Sequence, residues 1–238
     1  MVFIGGNGTP DLQDLYSVPL AGGSALRLDT FLKDTDGIAK YAVSDNSARV
    51  VFRASDSSFH SSLDSLPIGG GSHASFAPAQ PSIQGITASF FITPDSARIV
   101  FREGRQYRSA PMSGGGEVIV ADDINSSAGA AYATNHRITN DSQYLIFRGQ
   151  VVGESSFPLF IVPVGSAGEL QRLSDDMAVV AGSPLAGSGS VIGFRSNGAG
   201  TRVIFRGGET PGASALYAVS AGGDVTEEQL LYLPLLRQ

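Results

Sequence analysis

Short apolar runs, bounded by Gly, Pro, Asp, Asn and Ser, punctuate the whole chain, and one of them recurs. It reads Arg49-Val50-Val51-Phe52-Arg53, Arg98-Ile99-Val100-Phe101-Arg102, Tyr144-Leu145-Ile146-Phe147-Arg148 and Arg202-Val203-Ile204-Phe205-Arg206. Met1-Val2-Phe3-Ile4 is a fifth copy, truncated on its left. Measured between Phe3, Phe52, Phe101, Phe147 and Phe205, the spacings are 49, 49, 46 and 58. A second run follows each first one: Leu15 to Gly23, Leu63 to Gly70, Tyr107 to Gly115, Leu159 to Gly165 and Leu216 to Gly223. Both runs are β-branched or aromatic and bounded by turn residues, which marks strands. No window sustains a period of 3.6 over the ~11 residues that a helix requires. The best exception is Thr226 to Leu236, where a turn or two of helix fits.

Further strands flank each pair. Ala39 to Ser44, Ala88 to Ile92 and Ser190 to Arg195 lie upstream, and Ala25 to Leu28, Glu117 to Val120 and Leu170 to Leu173 lie downstream. The spacing predicts five units, 1–37, 38–85, 86–130, 131–178 and 179–238, within one domain covering 1–238. Four strands per unit at a period in the forties predicts an all-β propeller of five four-stranded blades. A lone blade cannot bury both of its faces. Continuous apolar runs such as Val50-Val51-Phe52 fit strands covered on both sides. The Gly-Gly corners supply the positive φ needed where the third strand turns into the fourth.

The segment from Thr93-Pro94-Asp95-Ser96 to Phe101-Arg102, followed by Tyr107 to Gly115, resembles the WD40-like PD40 repeat of TolB-type propellers. Prolyl oligopeptidase and tricorn-type propellers share that repeat. Ser44 to Phe52 and Thr139 to Phe147 are looser copies, and Asp14 to Gly23 is similar to the second half of such repeats in bacterial secreted proteins. The pattern departs at Ser96, where Gly is expected, and in unit five, where Ser196 to Gly200 replaces the Pro-Asp turn. The 58-residue spacing points to an insertion around Gly182 to Gly189. The resemblance implies a periplasmic or extracellular setting. It leaves activity open, because many functions use this scaffold.

The first unit lacks its inner strand. One arrangement makes Thr226 to Leu231 the fourth strand of blade five and sends Tyr232 to Leu236 across to complete blade one, closing the ring between the termini. In the other, blade one stays three-stranded and its edge invites pairing with a second chain. The first gives a monomer, the second a strand-exchanged oligomer. The chain opens on a strand-like tetrapeptide rather than a basic, apolar leader, as expected of a gene fragment or of a small protein whose ends meet.

Composition narrows the function. The 238 residues carry 16 Lys and Arg against 22 Asp and Glu, a net charge of −6, so no basic excess points to nucleic acid. No stretch approaches the roughly 18 apolar residues of a membrane span. The absence of Cys excludes disulfides, Cys-based zinc sites and a Cys nucleophile.

Arg53, Arg102, Arg148 and Arg206 hold one position in four units. They are the candidate ligand-binding residues, as a circle of guanidinium groups able to grip carboxylate or phosphate. The competing reading has each Arg end a strand and pair locally. Asp45, Asp95 and Asp141 precede the same strand and are expected to close its turn. Asp34-Thr35-Asp36-Gly37 opens like a calcium loop but lacks the later oxygens. Asp122-Asp123 and Asp175-Asp176 read as solvated turns. Gly187-Ser188-Gly189-Ser190 lacks the strand-to-helix elbow of a nucleophile. His60 and His73 fall in polar loops and His136 in a linker. The sequence therefore predicts no catalytic residue, metal site or cofactor. The expected role is binding a protein, peptide or glycan, with a gating propeller from a larger secreted hydrolase as the alternative. The loops to watch are Ala54 to Ser62, Gly149 to Pro158 and Gly207 to Ser214.

Overall fold

In four sheets of five the recurrent apolar run is the second strand, with a strand on both sides; in the first sheet it lies at the edge among the described residues. The computed structural model describes residues 1–6, 13–33, 36–56, 61–80, 86–122, 124, 136–149, 158–174, 191–197, 201–210, 213–220 and 233–234. They form antiparallel sheets, with no helix among the described residues. The chain divides into two compact units, Met1–Val118 and Ile119–Gln238.

The first unit begins with a three-stranded sheet of β1 (Val2–Gly6), β2 (Gln13–Ser17) and β3 (Leu26–Arg27). A four-stranded sheet follows, β4 (Gly37–Val43), β5 (Arg49–Ser55), β6 (Ser61–Pro67) and β7 (Ala74–Gln80). The third sheet is β8 (Ile86–Ile92), β9 (Arg98–Glu103), β10 (Gln106–Pro111) and β11 (Val118–Ala121), and the unit boundary falls inside β11. Adjacent residues of β5 serve opposite neighbours. Val50 and Phe52 pack with Leu15 and Leu28 of the first sheet and its exit. Val51 packs with Phe90, Ile99 and Phe101 of the third. Side chains alternate across a strand, so a run apolar at every position is what a sheet covered on both faces requires.

The second unit holds β12 (His136–Ile138), β13 (Tyr144–Arg148), β14 (Leu159–Pro163) and β15 (Gln171–Arg172), then β16 (Val191–Ser196), β17 (Arg202–Thr210), β18 (Ala213–Ser220) and β19 (Leu233–Pro234). Ile146, Leu159 and Ile161 of one sheet pack with Phe194, Val203, Phe205 and Tyr217 of the other.

In three sheets the turn before the second strand repeats in atomic detail. Thr93 Oγ1 accepts from Arg98 N at 2.9 Å, and an Asp95 carboxylate oxygen accepts from Ala97 N at 3.0 Å. Thr139 and Asp141 do the same for Tyr144 N and Gln143 N, each at 3.0 Å. In the second sheet Asn46, not Asp45, takes this role, accepting from Ala48 N at 3.0 Å. Ser47, Ser96 and Ser142 have φ of 57, 59 and 64°, the left-handed position at which the repeat favours Gly. At the other end, Gly114 has φ +89°, and an added Cβ would lie 2.9 Å from the Cβ of Ala74 in the preceding sheet.

Several expectations change. Leu233–Pro234 pairs with Leu216 and Ala215 as the fourth strand of the last sheet, so these two residues are not the inner strand of the first. Once β18 has turned back, its own open edge lies within immediate reach. Among the described residues β1 has no strand on its other side, and the Val2 carbonyl accepts instead from the Tyr41 hydroxyl at 3.2 Å. His136 lies in β12 rather than in a linker, opposite Phe147. Gly207 to Ser214 is mainly a continued β17–β18 ladder, with Gly207 opposite Ala215, Gly208 opposite Ser214 and Thr210 opposite Ala213. Residues 226–232 of the expected helical stretch, the Gly187 to Ser190 segment, His60, Asp123, Asp175 and Asp176 lie outside the described residues.

Candidate functional site

Four of the five recurrent runs place a Phe opposite an aromatic or a cation on the strand that follows: Phe3 opposite Tyr16, Phe101 opposite Arg108, Phe147 opposite Phe160 and Phe205 opposite Tyr217. Three of these pairs are aromatic, with ring centroids 5.6, 5.4 and 5.2 Å apart. In the second sheet Phe52 faces Asp64 instead. The exchange removes a ring and puts a carboxylate on a face otherwise apolar through Phe52, Ala54 and Leu66. Asp64 is only 3% exposed.

The segment leaving the first sheet covers what the missing ring leaves. Buried Asp29 anchors it: its carboxylate accepts from Leu15 N at 3.1 Å and from Arg27 Nε at 2.9 Å, while Arg27 also pairs with Asp14 at 3.0 Å. Leu32 N donates to the Asp29 carbonyl at 3.0 Å, which turns the chain back over the second sheet. Phe31 then reaches within 6.0 Å of the Phe52 ring and stacks flat on His73 at 3.7 Å.

Between this segment and β5, β6 and β7 lies a cavity of about 210 Å³. Phe31, Leu32 and Ala54 give it apolar walls, and Ser55, Ser62 and Ser75 supply hydroxyls. Asp36, Asp56 and Asp64 face one lysine, Lys33, and His73. The Ser62 hydroxyl donates to Asp64 at 2.7 Å, and Ser75, opposite Asp64 in the ladder, hydrogen-bonds it from the other side. Burial raises the Asp64 pKa above its ordinary 3.8, with the two serines and nearby His73 opposing the shift. Among the described residues Asp64 forms no ion pair.

Asp, His and Ser thus meet, but not as a nucleophile and base. Ser62 donates directly to the carboxylate, and no hydrogen bond joins His73 to a serine among the described residues. The described residues also contain no group of three His, Cys, Asp or Glu side chains able to hold a metal.

The four arginines fall elsewhere. Arg53 follows the face of Val51, is half-buried, and its Nε has no hydrogen-bond partner among the described residues; burial lowers its pKa. Arg102 is 5% exposed, donates from Nε to the Gly104 carbonyl at 3.2 Å and lies 5.9 Å from the centre of the Tyr107 ring. Arg148 is half-buried at the end of β13, and Arg206 lies in β17 opposite Leu216.

The sequence alone does not single out Asp64 and places His73 only in a polar loop. A signal for Asp64 was present. Aligned at the strand after the recurrent run, the five units read Tyr16, Asp64, Arg108, Phe160 and Tyr217, and Asp64 is the one acid. His73 carried no signal, because its partner Phe31 belongs to a different unit.

No family model and no curated protein matches the chain. Solved structures do. A protein described as TolB from Agrobacterium tumefaciens is 16% identical, with 92% of this chain and 74% of that one covered and a TM-score of 0.44. TolB from Acinetobacter baumannii is 14% identical, with 92% and 48% covered and a TM-score of 0.45. Prolyl oligopeptidase B from Galerina marginata is 10% identical, with 100% and 36% covered and a TM-score of 0.57. The chain thus spans about a third of that oligopeptidase and about half of the A. baumannii protein. The resemblance to TolB-type and oligopeptidase propellers read from the repeats recurs among these structures, and at 10% identity the likeness to the oligopeptidase shows the fold alone.

Proposed function

We propose that the chain is a non-enzymatic binding module, a single β-propeller of five sheets that engages a partner protein or peptide through the cavity beside Asp64. The observation that carries this reading is the break in the repeat. Four Phe residues of the recurrent runs face a ring or a cation across the ladder, while Phe52 faces a buried acid with a cavity over it. Packing alone favours the aromatic, whereas a binding site requires an opening and a polar group. The rigid sheets hold that opening in place. A periplasmic or extracellular setting belongs to the same reading, by resemblance.

The likeness to an oligopeptidase, of which this chain spans 36%, favours a second reading: an accessory or gating propeller of a larger hydrolase. The four arginine positions are a further candidate ligand contact, motivated by the Arg53 Nε, which has no hydrogen-bond partner among the described residues.

Panning the purified chain against a random peptide library, with mass spectrometry of whatever is recovered, tests the proposal. The binding reading expects intact peptides competing for one site. Cleaved peptides, or none retained, overturn it.

A further inference from the structure

We infer that the cavity beside Asp64 is the seat of a single basic side chain, the protonated amine or guanidinium of a partner peptide. This deepens the binding reading and rests on it.

Charge sets the sign of the ligand. The cavity presents Asp36, Asp56 and Asp64 against Lys33 and His73. An anionic group would enter against a carboxylate excess, and a neutral one would leave Asp64 with no ion-pair partner and only His73 nearby. A carboxylate offers about four acceptor positions. Ser62 and Ser75 use two at Asp64. The remaining acceptor capacity suits an N–H donor that is charged, since an enclosed carboxylate is costly until paired.

Shape sets the size. A volume of about 210 Å³ fits one side chain rather than a folded surface. The wall of Phe31 and Leu32 suits the methylene stem that lysine and arginine share, while the hydroxyls and Asp64 line the opposite side. The stacked pair Phe31 and His73 fixes that wall, and Asp29 holds the segment that carries Phe31. The pocket is therefore built before a ligand arrives.

Titration of the full-length chain with Nα-acetyl-lysine amide, Nα-acetyl-arginine amide and the neutral Nα-acetyl-norleucine amide, followed by NMR shifts, tests this. At least one basic probe is expected to shift resonances around Phe31, Asp64 and Ser75 saturably, with the norleucine probe inert. The stronger basic probe identifies the head group. Asp64→Asn, which keeps the shape, is expected to weaken binding by about tenfold or more. Asp64→Phe, which restores the ring that three other sheets carry, is expected to abolish it while the fold remains. Equal binding of the neutral probe, no saturation with either basic probe, or unchanged affinity in Asp64→Asn overturns the inference. Library peptides that bind without Lys or Arg and ignore Asp64→Asn also overturn it but leave the binding reading standing. Basic-probe binding with no library peptide retained supports the pocket and removes the peptide-binding reading.

Discussion

Replacing Asp64 with Asn tests how the buried carboxylate affects folding. Asn keeps the size of the side chain and the oxygen that accepts from Ser62, and its amide finds the Ser75 hydroxyl across the ladder. Only the charge is lost. The groups facing Asp64 are Ser62 on its own strand, Ser75 and His73 at the start of β7, and Lys33, Asp36 and Asp56 around the cavity. Because burial raises its pKa, native Asp64 holds its proton to higher pH than the unfolded chain does. Stability is therefore lost as pH rises from 3.8 through the raised folded value, at up to about 1.4 kcal/mol per pH unit. For a chain of this length each kcal/mol moves Tm by about 2–4 °C. Scanning calorimetry of both proteins from acid to neutral pH is expected to show similar Tm values below the ordinary carboxylate range. Above it, the Asn variant is expected to gain by a few degrees until the gap levels off. A variant less stable at neutral pH, or a gap independent of pH, refutes the reasoning.

Other perturbations test the packing. Gly114→Ala combines a positive φ, costing about 1–2 kcal/mol, with a Cβ 2.9 Å from that of Ala74, whereas Gly115→Ala at φ +72° meets nothing within 4 Å. Chemical denaturation is expected to find the first variant clearly less stable than the second. Phe101→Ala empties a fully buried position between two sheets and is expected to cost about 3–5 kcal/mol by the same measurement. Burial pushes the Tyr107 pKa up to about 12 against the pull of Arg102. The unfolded chain ionises near 10, so stability falls as pH rises from there to about 12, by about 3 kcal/mol in all. Ultraviolet titration is expected to lose one late-ionising tyrosine in Tyr107→Phe.

What the sequence revealed and what it hid follow from range. The Val50-Val51-Phe52 run announces a strand covered on both faces because each residue reports its own environment. The turns of Asp95 and Asp141 were legible because their hydrogen bonds close within two residues. Asp45 misled because Asn46 beside it makes the same bond. The cavity stayed hidden because its parts come from separate units. Phe31 is a loop residue until its ring meets Phe52 and His73, and Asp64 is an ordinary acid until the ladder sets it opposite Phe52. The C-terminal segment was misplaced because two open edges competed for Leu233–Pro234, and pattern alone does not choose between them.

The central claim is that neighbouring residues on one strand bury against different sheets, which is what shapes the cavity beside Asp64. Methyl-selective NOE spectroscopy of β5 tests it most directly. Val50 methyls are expected to show contacts to Leu15 and Leu28, and Val51 methyls to Ile99 and Phe101. Contacts from both valines to the same sheet would contradict it.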